Sequence, residues 1–290
     1  MIKTCFSESY FADTPTASMR KLPAVAKAVQ KAGYAELVDP GSIDPAKLRR
    51  LHDPGYVEAF LKGEGMLASS QGWPWTAQIR DGVLALNAGQ IVATNHALRM
   101  GIAANVAQGF HHARYPGGGG FCTFNGLALV AQEFPELKVC VLDCDQHGGN
   151  GTEDFTRRLP NLFNFTINGS AYGCVTRDRS ICLNLEPVTH CFEVYRAALQ
   201  AAFDQIKHWK PDLVIYQAGA DPHIDDPLGT LGMTTEQLFL RDQEVFRFCQ
   251  EANYPTFFVL AGGYQEPIQE KLVPLHLNTF RAAYEVYFGV

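Results

Sequence analysis

The chain lacks most of the signs that would place it outside the cell or in a membrane. No apolar run approaches the length a membrane helix needs. The stretch Met1 to Glu8 has no apolar segment of the kind that marks a signal peptide. The eight cysteines (Cys5, Cys122, Cys140, Cys144, Cys174, Cys182, Cys191 and Cys249) are scattered, and none stands in a Cys-x-x-Cys pair. Free thiols in a reduced, cytoplasmic setting are therefore expected. Internal repeats, low-complexity tracts, charge blocks and long linkers are also missing. Positive charge is in short supply, with 24 Lys and Arg against 30 Asp and Glu, a formal net charge of −6. That balance argues against direct nucleic-acid binding and suits a small or cationic substrate. Apolar residues make up 47% of the 290, enough for a large core. The length fits one α/β domain spanning residues 1–290.

Short apolar runs alternate with longer amphipathic ones. Strands are expected at Ala103–Val106, Val139–Leu142, Leu162–Ile167, Ile181–Leu185, Leu213–Tyr216 and Thr256–Leu260. Helices are expected at Ala24–Lys31, Ala88–Met100, Phe192–Trp209 and Thr235–Asn253, the last capped by Thr234 with Gln237 three residues on. Alternation of this kind predicts a single-domain α/β fold, a mostly parallel central sheet flanked by helices. Ligands in such sheets bind beyond the carboxyl ends of the strands. The unusual polar residues stand there: Gln108-Gly-Phe-His111-His112, Asp143-Cys-Asp145-Gln-His147, Gln217-Ala-Gly-Ala-Asp221 and Ala261-Gly-Gly-Tyr264 each follow a strand. Four clusters at one edge of one sheet converge on one pocket.

Asp143, Asp145 and His147 are spaced by two, which puts them on one side of an extended segment. Two carboxylates and an imidazole suit a first-row metal, and Asp221 is the natural remote ligand. The alternative is a helix N-cap on a solvated turn. His111 and His112 can serve as base and acid beside such a metal, or stand as surface residues. The run Pro116 to Gly120 is a flexible turn or backbone lying against a substrate tunnel. Tyr264 is ordinary core, or a hydroxyl that donates to an oxyanion. His52-Asp53 reads as a helix cap. His190, His208 and His276 read as structural, and His223 as a loop residue.

These motifs, taken in order, resemble the histone deacetylase superfamily. The matching stretches are His52-Asp-x-x-Tyr56-Val, Gly109-Phe-His-His112, Gly120-Phe-Cys122-x-Phe-Asn125, Asp143-x-Asp145-x-His147-x-Gly-Asn-Gly151, Ala218-Gly-Ala-Asp221 with Asp226-x-Leu-Gly229, and Gly262-Gly-Tyr264. The run from Gly89 to Gly120 looks most like the class IV branch. The resemblance implies an arginase/deacetylase-like three-layer sandwich with Zn2+ on Asp145, His147 and Asp221; Fe2+ suits the same ligands. It implies His112 as general base, with Asn150 as its partner. It implies His111 as an electrostatic partner oriented by Asp143, which also contributes to a structural K+ site. Gly120 and Phe121 match one tunnel wall, Tyr172 is the candidate for the other, and Tyr264 matches the carbonyl-polarising tyrosine.

The implied activity is hydrolysis of an N-acyl amine, acylated lysine first. Acetylpolyamine amidohydrolase is the nearest rival, and a non-catalytic binding protein of the same fold is the third reading. Three departures stand out. Gly148 replaces a common histidine. Asn150 replaces a class I aspartate, which predicts a less basic His112. Gly72 falls where an aspartate ordinarily grips the substrate backbone, beside Trp73 and Trp75, which are expected to crowd the rim.

Overall fold

The structure, a computed structural model, describes residues 1–188 and 191–289, so His190 lies outside the described residues. Among the described residues eight strands form one sheet: β1 Ile2–Cys5, β2 Ala35–Val38, β3 Ile102–Asn105, β4 Val139–Asp143, β5 Leu162–Asn168, β6 Ser180–Asn184, β7 Leu213–Gln217 and β8 Thr256–Val259. Their order is β2-β1-β3-β8-β7-β4-β5-β6, and every pairing is parallel. The α-helices are α1 Ala17–Arg20, α2 Leu22–Lys31, α3 Pro45–Leu51, α4 Pro54–Lys62, α5 Ala77–Met100, α6 Gly126–Glu133, α7 Asn150–Thr156, α8 Phe192–Trp209, α9 Thr235–Glu251 and α10 Val273–Phe288. Among the described residues no helix is long and apolar enough to cross a membrane.

The strand order explains how the site is assembled. The chain leaves β3, skips two strand widths to β4, runs outward through β5 and β6, and returns to fill the gap with β7 and β8. A gap filled late creates a crevice at the carboxyl ends of the neighbouring strands. The four central strands, β3, β8, β7 and β4, are the four that the polar clusters follow. All of them are buried along their whole length, as parallel strands covered on both faces must be. Each fully buried Val, Leu, Ile or Phe among them contributes about 1.5–3 kcal/mol.

All six expected strands form, with ends shifted by one residue or so. Two further strands, β1 and β2, are each only four residues long and carry Lys3 and Glu36, whose side chains pair with each other. Helix α5 begins 11 residues before the expected Ala88, capped by Thr76, whose hydroxyl accepts from Ile79 N at 3.1 Å. Gly82 and Gly89 interrupt its sequence pattern. Gly89 is needed there, because a Cβ would lie 2.1 Å from Tyr10 Oη. The capping box at α9 forms as expected: Thr234 and Gln237 exchange hydrogen bonds of 3.2 and 2.9 Å.

Candidate active site

Each strand end delivers one part of the site. Asp145 and His147 lie in the loop after β4, Asp221 in the loop after β7. One ligand atom from each lies within 4.8 Å of the other two, and Asp145 and Asp221 are buried. Asp143 is not part of that trio. It is the last residue of β4, and its Oδ2 sits 2.7 Å from His111 Nδ1. The even spacing through His147 therefore does not continue as one strand face, because the strand ends at Asp143.

The trio is held by backbone donors. Asp145 Oδ2 accepts from Gly262 N at 2.7 Å, and its Oδ1 accepts from His147 N at 3.0 Å. Asp221 Oδ1 accepts from Gln146 N at 3.1 Å. Asp221 Oδ2 is buried without a hydrogen-bond partner among the described residues, 3.3 Å from His147 Nδ1. A buried carboxylate oxygen without a hydrogen bond is costly, and a metal cation shared with Asp145 and His147 removes that cost more fully than the His147 ring alone. Electrostatics point the same way. Burial pushes His147 down, but Asp145 and Asp221 outweigh it and carry its pKa up to about 10. Burial, then Asp145, raises Asp221 to about 7. Two carboxylates and one imidazole, the hard and borderline donors that zinc and iron(II) accept, fit a divalent ion with an open position.

The adjacent histidines have different partners. His112 Nδ1 is 2.8 Å from Asn150 Oδ1, and Asn150 Nδ2 donates to the Tyr172 carbonyl at 2.8 Å. A carbonyl only accepts, so it fixes which end of the Asn150 amide faces His112. His112 Nδ1 must then carry the hydrogen, which leaves Nε2 with a free lone pair. Burial and the neighbouring His111 charge hold His112 well below its ordinary value. For His111, burial is outweighed by Asp143, Asp145 and the Asp143 hydrogen bond, and its pKa is raised.

Above these groups opens a cavity of about 420 Å³ whose lining includes His112, Gly120, Phe121, His147, Tyr172 and Tyr264. Tyr172 packs beside His112, the rings tilted by 39° with centroids 4.3 Å apart, and lines the same cavity as Gly120 and Phe121. Gly120 has φ +52°, and a Cβ there would meet His112 Cδ2 at 2.5 Å. The remaining glycines of the run do not reach the cavity lining, and Gly119 faces open space. A smaller chamber of about 20 Å³ lies behind, lined by His111, Gly120, Asp145 and Tyr264 among others. Tyr264 is placed by its own backbone, whose N–H donates to Asp226 Oδ2 at 2.8 Å.

Gly72 lines the mouth with φ +100°. The two tryptophans do not crowd it. Trp73 is 1% exposed and stacks behind Phe121 at 5.7 Å, and Trp75 donates its Nε1 hydrogen to Phe60 O at 2.7 Å. Asp53 caps α4, as expected. His52 is buried beneath the glycine turn: its Nδ1 is 2.9 Å from Arg114 O, and its Nε2 accepts from Asn125 N at 3.0 Å. His208 is exposed near the end of α8. His223 bonds Thr235 Oγ1 at 3.0 Å, away from the trio.

Sequence reasoning missed Lys21, which is wholly buried and donates to Ala261 O at 2.8 Å and Gly262 O at 3.1 Å. Burial lowers its pKa to about 8, against the pull of Asp221, Asp145 and Asp226. A lysine at the start of an amphipathic helix gives no sign in sequence that it turns inward.

A trio that could hold a metal ion, a histidine with one free ring nitrogen and a tyrosine around one narrow cavity are groups that metal-assisted hydrolysis can use. The model of the histone deacetylase domain matches residues 15–280. The chain belongs to the histone deacetylase family, a family of hydrolases. An uncharacterised protein of Picosynechococcus sp. is 33% identical over 260 residues, covering 87% of this chain and 86% of that one. Histone deacetylase 2 of Arabidopsis thaliana is 34% identical over 189 residues, 61% of this chain and 48% of that protein. In three dimensions the chain superposes on acetylpolyamine aminohydrolase from Burkholderia pseudomallei with a TM-score of 0.84 at 17% identity, covering 99% of both chains. That likeness is one of fold.

Proposed function

We propose that residues 1–290 act as one zinc-dependent catalytic domain that removes a short acyl group from an N-acyl amine, acyl-lysine first. The observation that carries this is the clustered Asp145–His147–Asp221 trio, in which the buried Asp221 Oδ2 lacks a hydrogen bond among the described residues, beside a histidine whose Nε2 is free. Zinc fits those donors, as does iron(II). When bound, the ion supplies Lewis-acid polarisation of the acyl carbonyl and of water. His112 Nε2 takes the proton from the attacking water, while its Nδ1–H keeps donating to Asn150 Oδ1. The Tyr264 hydroxyl donates to the developing oxyanion. Burial and the Asp221 and Asp145 charges hold the Tyr264 pKa far above its ordinary value, so it acts as a donor and stays protonated. The proton on His112 then passes to the departing amine. His111, paired with Asp143, offsets negative charge beneath. A structural K+ near Asp143 is part of the proposal: Thr166, in register with Asp143 on the next strand, has a buried hydroxyl with no partner among the described residues. All eight cysteines are free, which supports a reduced, cytoplasmic setting.

The small rear chamber has room for about one water or a methyl group, which favours acetyl over long acyl chains. The rival substrate is an acetylpolyamine, the class named for the Burkholderia protein of like fold. A polyamine presents a second cation, and among the described residues the cavity lining contains no carboxylate to receive it. The test is kcat/KM for an acetyl-lysine peptide, a myristoyl-lysine peptide and N-acetylputrescine. Acetyl-lysine is expected to lead; preference for acetylputrescine transfers the assignment to the rival.

A further inference from the structure

Arg241, on α9, is among the largest fully buried side chains, at 1% exposure. A long cation on an amphipathic helix ordinarily reaches for water, but this one turns into the fold. Its Nη1 donates to two backbone carbonyls, Cys144 O at 3.1 Å and Gly219 O at 2.9 Å. Cys144 immediately precedes Asp145, and Gly219 stands two residues before Asp221. One guanidinium nitrogen therefore spans the ends of the adjacent strands β4 and β7. The rest of the fork is fixed as well. Nε donates to Asp242 Oδ1 at 2.9 Å, and Nη2 lies 2.8 Å from the same oxygen. Asp242 is braced by the Tyr216 hydroxyl from β7 and by Thr279 Oγ1 from α10, at 2.5 and 2.7 Å. A buried ion pair adds little net stability, since desolvation offsets the attraction. What it supplies here is direction: a rigid planar donor that a lysine does not reproduce.

We propose that Arg241 is a positioning residue for the metal centre, gripping the backbone ahead of Asp145 and of Asp221 and so setting the separation of their carboxylates. This rests on the metal-centre assignment made above. It touches neither substrate nor the proton-transfer histidine, so its effect belongs in metal affinity.

The test is zinc affinity of the folded protein, read by competition with a chromophoric chelator, for the unsubstituted chain, Arg241→Lys and Thr279→Val. Groups that orient metal ligands typically change affinity about 10–100-fold when replaced. A loss in that range is expected for Arg241→Lys. A smaller loss of the same sign is expected for Thr279→Val, which removes only the brace on Asp242. At saturating zinc, kcat recovers and its pH profile stays in place, because the His112–Asn150 pair is untouched. Should Arg241→Lys fail to fold, Thr279→Val decides by its affinity. Unchanged zinc affinity in the folded variants, even with lowered thermal stability, overturns the positioning role and leaves the metal centre standing. No zinc bound by the unsubstituted chain overturns both.

Discussion

Four histidines in and around the site fall into two neighbourhoods. His111 and His147 face carboxylates, Asp143 on one side and Asp145 with Asp221 on the other, and their pKa values rise. His112 and His52 face an amide oxygen or backbone groups, and theirs fall, His52 to about 4. Burial acts in the same direction on all four; the partner decides the sign. Adjacent residues His111 and His112 are thus shifted in opposite directions, with ring centroids 3.9 Å apart. Two neighbouring titratable groups whose environments push their pKa values apart are what acid–base chemistry uses.

Removing the neutral member should give the largest effect. His112→Ala is expected to lose about 10²–10⁴ in kcat, the usual worth of a positioned general base, while zinc stays bound. Turnover close to that of the unsubstituted enzyme would place the base elsewhere.

The next effect is on stability. His52 has a folded pKa near 4 and an unfolded one near 6.5. Between those values the unfolded state binds the proton and the folded state does not. Stability present above pH 6.5 is therefore lost as pH falls toward 4, by about 3 kcal/mol in all. A proton on Nε2 would face the Asn125 N–H, which is the structural cause. Urea unfolding from pH 7.5 to 4.5 should show the curves of the unsubstituted chain and His52→Gln converging as pH falls. Parallel curves would remove His52 from the account.

A smaller change moves His112 across the divide. Asn150→Asp gives it a carboxylate partner, so the acid limb of kcat/KM should shift to higher pH, with kcat altered by about tenfold or less, the scale of a single charge-assisted hydrogen bond. An unmoved limb would mean that the amide does not set His112 basicity. Smallest of all, Gly72 offers no carboxylate to grip a peptide backbone, so residues flanking the acyl-lysine should alter kcat/KM by less than about tenfold, the effect of one weak contact. Strong selectivity among peptides would contradict this.

The front of the site was legible because its residues come in short motifs at strand ends, where a parallel sheet must place its ligands. The Asp145, His147, Asp221 and Tyr264 loops converge because β4, β7 and β8 are neighbours, which the sequence order alone hides. What supports the site from behind was not legible. Lys21 stands at the N-cap of α2 and Arg241 sits on α9, where a cation ordinarily marks a solvated face, and only tertiary contacts reveal that Lys21 grips the Tyr264 loop and Arg241 the loops of Asp145 and Asp221. The strands β1 and β2 escaped notice for a related reason. Four residues with a charge among them carry too little periodicity to stand out from a loop. Trp73 shows the opposite error: a large aromatic beside an apparent rim is buried behind Phe121, where it stiffens the wall.

The most direct test of the account is the rate of acetyl-lysine peptide hydrolysis measured against bound divalent ion as zinc is returned to stripped enzyme. The account predicts a rate that rises from near zero and levels off at one equivalent per chain, with Asp221→Ala flat throughout. Full hydrolysis by metal-free protein would contradict it.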